Sequence, residues 1–276
     1  LFPYTTLFRS CTACRDHGFR MRVYARVGIA ILLLLVAWQL TVTFLGVPSF
    51  LLPAPIQVAK TLIGEGHALA AAAVYTTGNM AVGAILAISL GVATGVLAGQ
   101  SRRFSAYIEP YLAMFQSFPR EALLPLLVVW LGFGRSSKIV SSVLLGYFPV
   151  AVMTLNGLRN VRHDYVELVR SWGGTRWDEL VHCRLPAAVP EIAGAVRVAV
   201  PLCLIGAVLG EFMGGSLGLG HIIITSGATF RVDRNFASVI ILATIGASLV
   251  SLVRLVERTL LKRYFFHTDT EGTSLP

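Results

Sequence analysis

The sequence predicts an all-α integral membrane protein with about six transmembrane helices, and three observations carry that prediction. Mean hydropathy is +0.72, with 55% hydrophobic and only 13% charged residues, about half the charged fraction of an ordinary soluble domain. Three long stretches, Val27 to Ala59, Gly66 to Ser101 and Asn235 to Val253, carry no formal charge, and a bilayer crossing needs about 20 mostly apolar residues. The basic residues lie in short segments between the apolar runs. That arrangement excludes a nucleic-acid-binding face as the reason for the net charge of +9, and it matches the charge pattern of membrane loops.

Residues 1–20, "LFPYTTLFRSCTACRDHGFR", are expected to be a non-native or disordered extension. "PYTTLFRS" resembles translated sequencing adapter, and Met21 with Arg22 and Arg26 ahead of an apolar run reads as an ordinary membrane-protein start. Cys11-x-x-Cys14 with His17 is half of a metal motif; no second ligand pair follows, so no metal site is predicted. Cys203, inside an apolar run, reads as a small buried hydrophobe.

The transmembrane domain is expected over 21–276. Its first span is placed at about 26–46, followed by a loop with a short amphipathic helix opened by Pro53 and Pro55. The second, about 76–99, is rich in Gly and Ala, which lets helices approach closely. After the basic turn "SRRF" comes an irregular third span, about 105–131, with Pro110, Pro119 and Pro125 along it. The fourth is about 138–158. A charged insert, 159–189, separates it from the fifth, about 190–212, which has Pro201 in its interior. A Gly-rich loop leads to the sixth, about 236–257. Six spans put both termini on one side. Twelve basic residues, including Arg22, Arg102, Arg159 and Arg170, share that side, against Lys60, Arg135, Lys138, Arg231 and Arg234 on the other, so both termini are expected to be cytoplasmic.

The insert is out of character with its surroundings. Asp164 with Glu167 has capping-box spacing, and Tyr165, Leu168, Val169 and Trp172 fall at i, i+3, i+4 and i+7 to make one apolar stripe. Gly173-Gly174 supplies a left-handed helix stop. Thr175 with Asp178 has capping-box spacing for a second short helix, which Pro186 is expected to end. Two short amphipathic helices at a glycine hinge suit either an interfacial helix on lipid headgroups or a knob inserted in a partner's groove.

The register of the insert also carries a resemblance. Glu167-Leu168-Val169, three residues, Gly173, nine residues, then Cys183-Arg184-Leu185-Pro186 resembles the cytoplasmic EAA loop of ABC-importer permeases, with the family's Glu, Gly, Leu and Pro positions kept and both alanines and the isoleucine replaced. "LPAPIQVAKTL", "PLLVVWLGFGRSSKIV", "GYFPVAVMTLNGLRNV" and "GEFMGGSLGLGHII" extend the likeness to the nitrate, sulfonate, taurine and bicarbonate group of these permeases, from Met21 to about Arg263. The resemblance implies a subunit of the bacterial inner membrane that dimerises, docks two ATPase subunits and receives a small anion from a periplasmic or lipoprotein solute-binding protein. It assigns ATPase coupling to Glu167, Leu168, Val169, Gly173, Gly174, Leu185 and Pro186. It also implies that this chain is no enzyme and binds no cofactor, ATP being used by the partner. No lysine follows a glycine in the chain, so it has no P-loop of its own.

Arg120, Glu121, Arg197 and Glu211 are the charges within or at the edge of the spans and the candidate pathway residues. Such groups face a polar cavity or a partner, or snorkel to the interface; for Arg197 and Glu211 both readings stay open. Gly214-Gly215-Ser216-Leu217-Gly218 near His221 matches a hydrolase elbow, but that motif needs an α/β sheet, and tight turns are the expected use of its glycines. The alternative of another class is a self-contained secondary transporter or intramembrane enzyme, which would have no use for an ATPase socket.

Overall fold

The computed structural model describes residues 10–100 and 102–265, and nearly all of them are helical. The expected extension falls partly outside the described residues, at 1–9, while residues 10–20 belong to the first helix. That helix, α1 (Ser10–Phe44), carries an apolar segment Gly28–Phe44 of 17 residues, about the minimum for a crossing. α2 (Pro55–Gly64) follows with Pro55 in its first turn, where a missing N–H costs nothing.

Four helices are long and apolar enough to span on their own: α3 (Gly66–Gln100), α6 (Arg135–Arg159), α9 (Leu185–Phe212) and α11 (Val232–Phe265). The irregular third span is a bent pair. α4 (Arg102–Ser117) and α5 (Leu124–Leu131) meet at 86° across a 3₁₀ turn, Arg120–Leu123. Pro119 precedes that turn and Pro125 lies in the first turn of α5, so neither α4 nor α5 can run through.

The core is a three-helix unit in which α6 packs along both α3 and α9. Without a water-driven hydrophobic effect between spans, close backbone approach has to supply the packing. Small residues provide it. A Cβ on Gly91 would stand 2.7 Å from the Val150 side chain, and one on Gly206 would stand 2.6 Å from the Ser141 carbonyl oxygen. Cys203 is fully buried between them with Met80, Ala84 and Ala87 of α3, as a small hydrophobe should be. α11 lies outside this unit with most of its apolar surface uncovered within the chain.

Two expectations are corrected. The Gly-rich segment after the fifth span contains a helix, α10 (Leu219–Ala228). Gly214, Gly215 and Gly218 do make the expected turns, at φ of +151°, +120° and +113°, but the apolar "LGHIIITSGA" beyond them has room for three helical turns under α11. Pro186 does not end a helix either. A π turn, Leu180–Arg184, runs directly into α9 with Pro186 in its first turn. The wider turn absorbs the hydrogen bond that proline cannot donate.

Candidate coupling loop and intramembrane charges

The insert folds as α7 (His163–Ser171), a glycine hinge, the short α8 (Arg176–Glu179) and the π turn. α7 begins two residues earlier than its sequence suggests. Arg162 is the N-cap and makes no side-chain capping bond, so the expected Asp164 cap is corrected: Asp164 sits in the first turn, where a carboxylate favours the helix dipole, and accepts from Arg162 Nη2 at 3.0 Å. The far end matches expectation. The Gly174 amide donates to the Val169 carbonyl and the Gly173 amide to that of Arg170, both at 3.0 Å, the paired bonds of a Schellman stop. Gly173 takes φ +77°. Gly174 has no room for a side chain, since a Cβ there would lie 2.8 Å from the Val169 carbonyl oxygen. Thr175 and Asp178 then exchange their capping bonds, the Thr175 amide donating to Asp178 Oδ2 at 2.8 Å.

Only one face of this loop is buried. Val166 and Leu180 point inward, Leu180 and the half-buried Leu185 packing with Leu158 of α6 and Ala188 of α9. The apolar stripe points outward: Tyr165 and Leu168 are exposed, and so are Trp172, at 85%, and Trp177. Glu167 is exposed on the same helix, and Val169 is half-buried. Beneath the hinge lies a carboxylate that sequence reasoning did not single out. Glu179 is 5% exposed. It accepts from Arg170 at 3.1 and 3.2 Å and from Arg184 Nε at 2.6 Å. Its signal in the sequence was an acidic residue on an apolar flank with arginines on both sides.

The four intramembrane candidates do not converge. Arg120 sits in the 3₁₀ turn with its guanidinium 5.6 Å from the centre of the Phe148 ring, and its Nη1 is buried without a hydrogen-bond partner among the described residues. Glu121 beside it is exposed. Arg197 forms a two-point ion pair with Glu257 of α11, one contact being Nε to Oε2 at 3.0 Å. Glu211 lies fourteen residues further along α9, roughly 21 Å away.

Glu211 does not snorkel, being 1% exposed. Its Oε2 accepts from Thr76 Oγ1 of α3 at 2.9 Å and from the Gly220 amide at 2.9 Å. The Thr76 hydroxyl in turn accepts from the Leu219 amide at 2.9 Å. The carboxylate therefore caps the N-terminus of α10, where dipole and free amides both favour an anion. Lys138, counted from sequence as a surface charge, is 1% exposed and donates to the carbonyls of Phe133 at 2.9 Å and Gly134 at 3.2 Å. Its side chain also lies 5.9 Å from the Tyr75 ring, next to Thr76 in the chain.

The described residues form an all-helical membrane domain with a polar loop braced on its spans, an architecture that suits a transport subunit. Residues 87–264 match the profile of the binding-protein-dependent transport system inner membrane component, and the chain belongs to that family. It is 37% identical over 216 residues to a probable ABC transporter permease protein of Haemophilus influenzae, covering 78% of this chain and 88% of that one. It is 34% identical to the putative aliphatic sulfonates transport permease SsuC of Bacillus subtilis, covering 82% of each. The formylaminopyrimidine transport permease ThiX of Halalkalibacterium halodurans is 32% identical, with 83% and 92% covered. The fold matches a chain of the MetNI methionine ABC transporter in an inward-facing conformation, with TM-score 0.61 at 19% identity, covering 71% of this chain and 96% of that one. The chain is thus an ABC importer permease subunit and not an enzyme; ATP hydrolysis belongs to a separate ATPase, and members of the family also work with a binding protein.

Proposed function

We propose that this subunit couples to its ATPase through the α7–α8 loop, pairs with a second copy of itself, and imports a small anion of the sulfonate kind. The observation that supports coupling is the uncovered stripe. A folded, hinge-stopped loop that leaves Tyr165, Leu168, Trp172 and Trp177 exposed has the form of a knob for a partner's groove, and the inserted Glu167, Gly173 and Leu185-Pro186 register has the spacing of the EAA loop. Because α8 continues through the π turn into α9, movement of the knob would be delivered to a spanning helix. In this reading the loop and both termini are cytoplasmic, two ATPase subunits bind the dimer, and ATP is bound there rather than by this chain.

The solute class is supported by the likeness to SsuC and by intramembrane guanidinium groups. Of these, Arg120 has a buried nitrogen without a partner and is the stronger pathway candidate. Arg197 already holds Glu257.

Two measurements test the reading. Reporter fusions near Trp177 and after Arg103 should give cytoplasmic signals; an external signal at Trp177 overturns the coupling role. In cells grown on an alkanesulfonate as sulfur source, Arg120→Gln should cut uptake at least tenfold with the protein still inserted. Uptake of formylaminopyrimidine but no sulfonate would overturn the solute assignment and leave the coupling role standing.

A further inference from the structure

A cleft of about 750 Å³ opens between the coupling loop and the spans, lined by Arg159, Arg170, Arg176, Arg184, Glu179 and Ser105 together with the last residues of α3. Its charge does not balance. Glu179 is shared by Arg170 and Arg184, and Arg159 is paired with Glu109 and Ser105. Arg176 has no carboxylate among the described residues. Four guanidinium groups thus meet two carboxylates, leaving two positive charges. Both carboxylates are engaged and cannot neutralise a further cation, so the cleft lining has the chemistry to hold a multiply hydrogen-bonded anion. Planar guanidinium forks match phosphate oxygens two at a time.

We propose that this cleft binds a phosphate group, supplied by the headgroup of an anionic phospholipid. Its floor, Ala98 to Gln100, is where the uncharged run of α3 stops, which is the depth of headgroups in a bilayer. Leu97, one residue before the cleft's Ala98 on α3, and Tyr107, two residues after its Ser105 on α4, are exposed, so the chain next to the cleft offers apolar side chains for acyl chains to meet. Basic pockets between spans on the cytoplasmic side are suited to such headgroups. None of the exposed stripe residues Tyr165, Leu168, Trp172 and Trp177 lines the cleft, so lipid and ATPase need not compete. The site rests on the cytoplasmic placement of the loop only for the choice of leaflet.

The test titrates delipidated full-length permease, with and without its ATPase, with phosphatidylglycerol, phosphatidylcholine and inorganic phosphate, reading bound lipid by native mass spectrometry. Wild type should prefer phosphatidylglycerol, and Arg176→Gln should weaken that binding about fivefold, the worth of one basic residue at a lipid surface, with phosphatidylcholine unchanged. Arg176 is exposed, so the variant should unfold at the wild-type temperature. A second variant, Arg176→Lys, keeps the charge and should recover most of the preference. Equal phosphatidylglycerol binding by wild type and Arg176→Gln overturns the proposal. Binding of inorganic phosphate without lipid preference overturns the lipid source and keeps the phosphate chemistry. Loss of lipid on adding the ATPase assigns the cleft to a partner carboxylate. Failure of the ATPase to bind at all bears on the coupling reading and leaves the lipid result intact.

Discussion

Two nearly buried carboxylates sit at opposite ends of one helical run, and they are held in different ways. Glu179, before the π turn, is gripped by Arg170 and Arg184, long side chains that arise within the same loop and remain partly exposed. Glu211, at the other end of α9, is gripped by a threonine hydroxyl and a backbone amide, donors with almost no freedom to follow a displacement. An ion pair of flexible arms tolerates a shift of its element; a carboxylate seated on a helix N-terminus does not. The loop end of α9 is therefore held by the more adaptable contacts, and at the far end three helices meet at one point.

The largest effect is expected at the fixed end. Thr76→Val removes the donor to Glu211 and leaves the Leu219 amide unpaired in a buried site. A hydrogen bond to a charged group together with an orphaned amide is worth about 3 kcal/mol. The thermal unfolding midpoint of the detergent-solubilised protein should fall clearly, and Thr76→Ser should restore most of it. A midpoint unchanged in Thr76→Val would mean that α3, α9 and α10 are not joined there.

The loop end should lose less. Arg184→Gln leaves Glu179 with Arg170, which can swing toward it, and the expected cost is about 2 kcal/mol by the same unfolding measurement. If Arg184→Gln costs more than Thr76→Val, the loop is the rigid end and the comparison is inverted.

How these two ends were legible in the sequence differs for a physical reason. Local devices could be read: Pro55 opening α2, the Gly173-Gly174 stop, and the Thr175–Asp178 box are each decided by residues within one or two turns. Pro186 misled, because its usual effect on a helix assumes regular α geometry ahead of it, and a π turn leaves no periodic trace. α10 was hidden by the glycines that precede it. Lys138 was read as a loop charge because its acceptors are main-chain carbonyls, which every residue has. Thr76 and Glu211 lie 135 positions apart, and Arg197 and Glu257 lie 60 apart. Such pairs follow from packing of whole spans, and one sequence holds no signal for them. The family register could be read at all because it spans only twenty residues of continuous chain, 167–186.

The hinge separates strain from contact. A Cβ on Gly173 meets nothing within 4 Å, yet its φ is +77°. Gly173→Ala should cost about 1 kcal/mol, the penalty for a side chain in the left-handed region, while Gly173→Asn, a residue that tolerates that region, should cost less. Equal losses in both variants would show that the stop is held by something other than backbone conformation.

The smallest effect on stability belongs to the residue with the most exposed ring. Trp172 caps α7 through its backbone and leaves its side chain 85% exposed, so Trp172→Ala removes almost no contact within this chain. Its cost should stay within about 0.5 kcal/mol, the range of ordinary surface substitutions. An indole left in water is a different matter for association, where tryptophan in a desolvated groove is among the side chains whose truncation costs most, about 2 kcal/mol or more. Under the proposed coupling role, Trp172→Ala should therefore unfold at the wild-type temperature and retain its lipid, yet co-purify with its ATPase at a yield reduced at least tenfold. Thr76→Val should do the reverse, lowering stability while the surviving folded fraction still binds the ATPase. Normal ATPase recovery with Trp172→Ala would detach the exposed stripe from docking and return the loop to a helix resting on lipid headgroups.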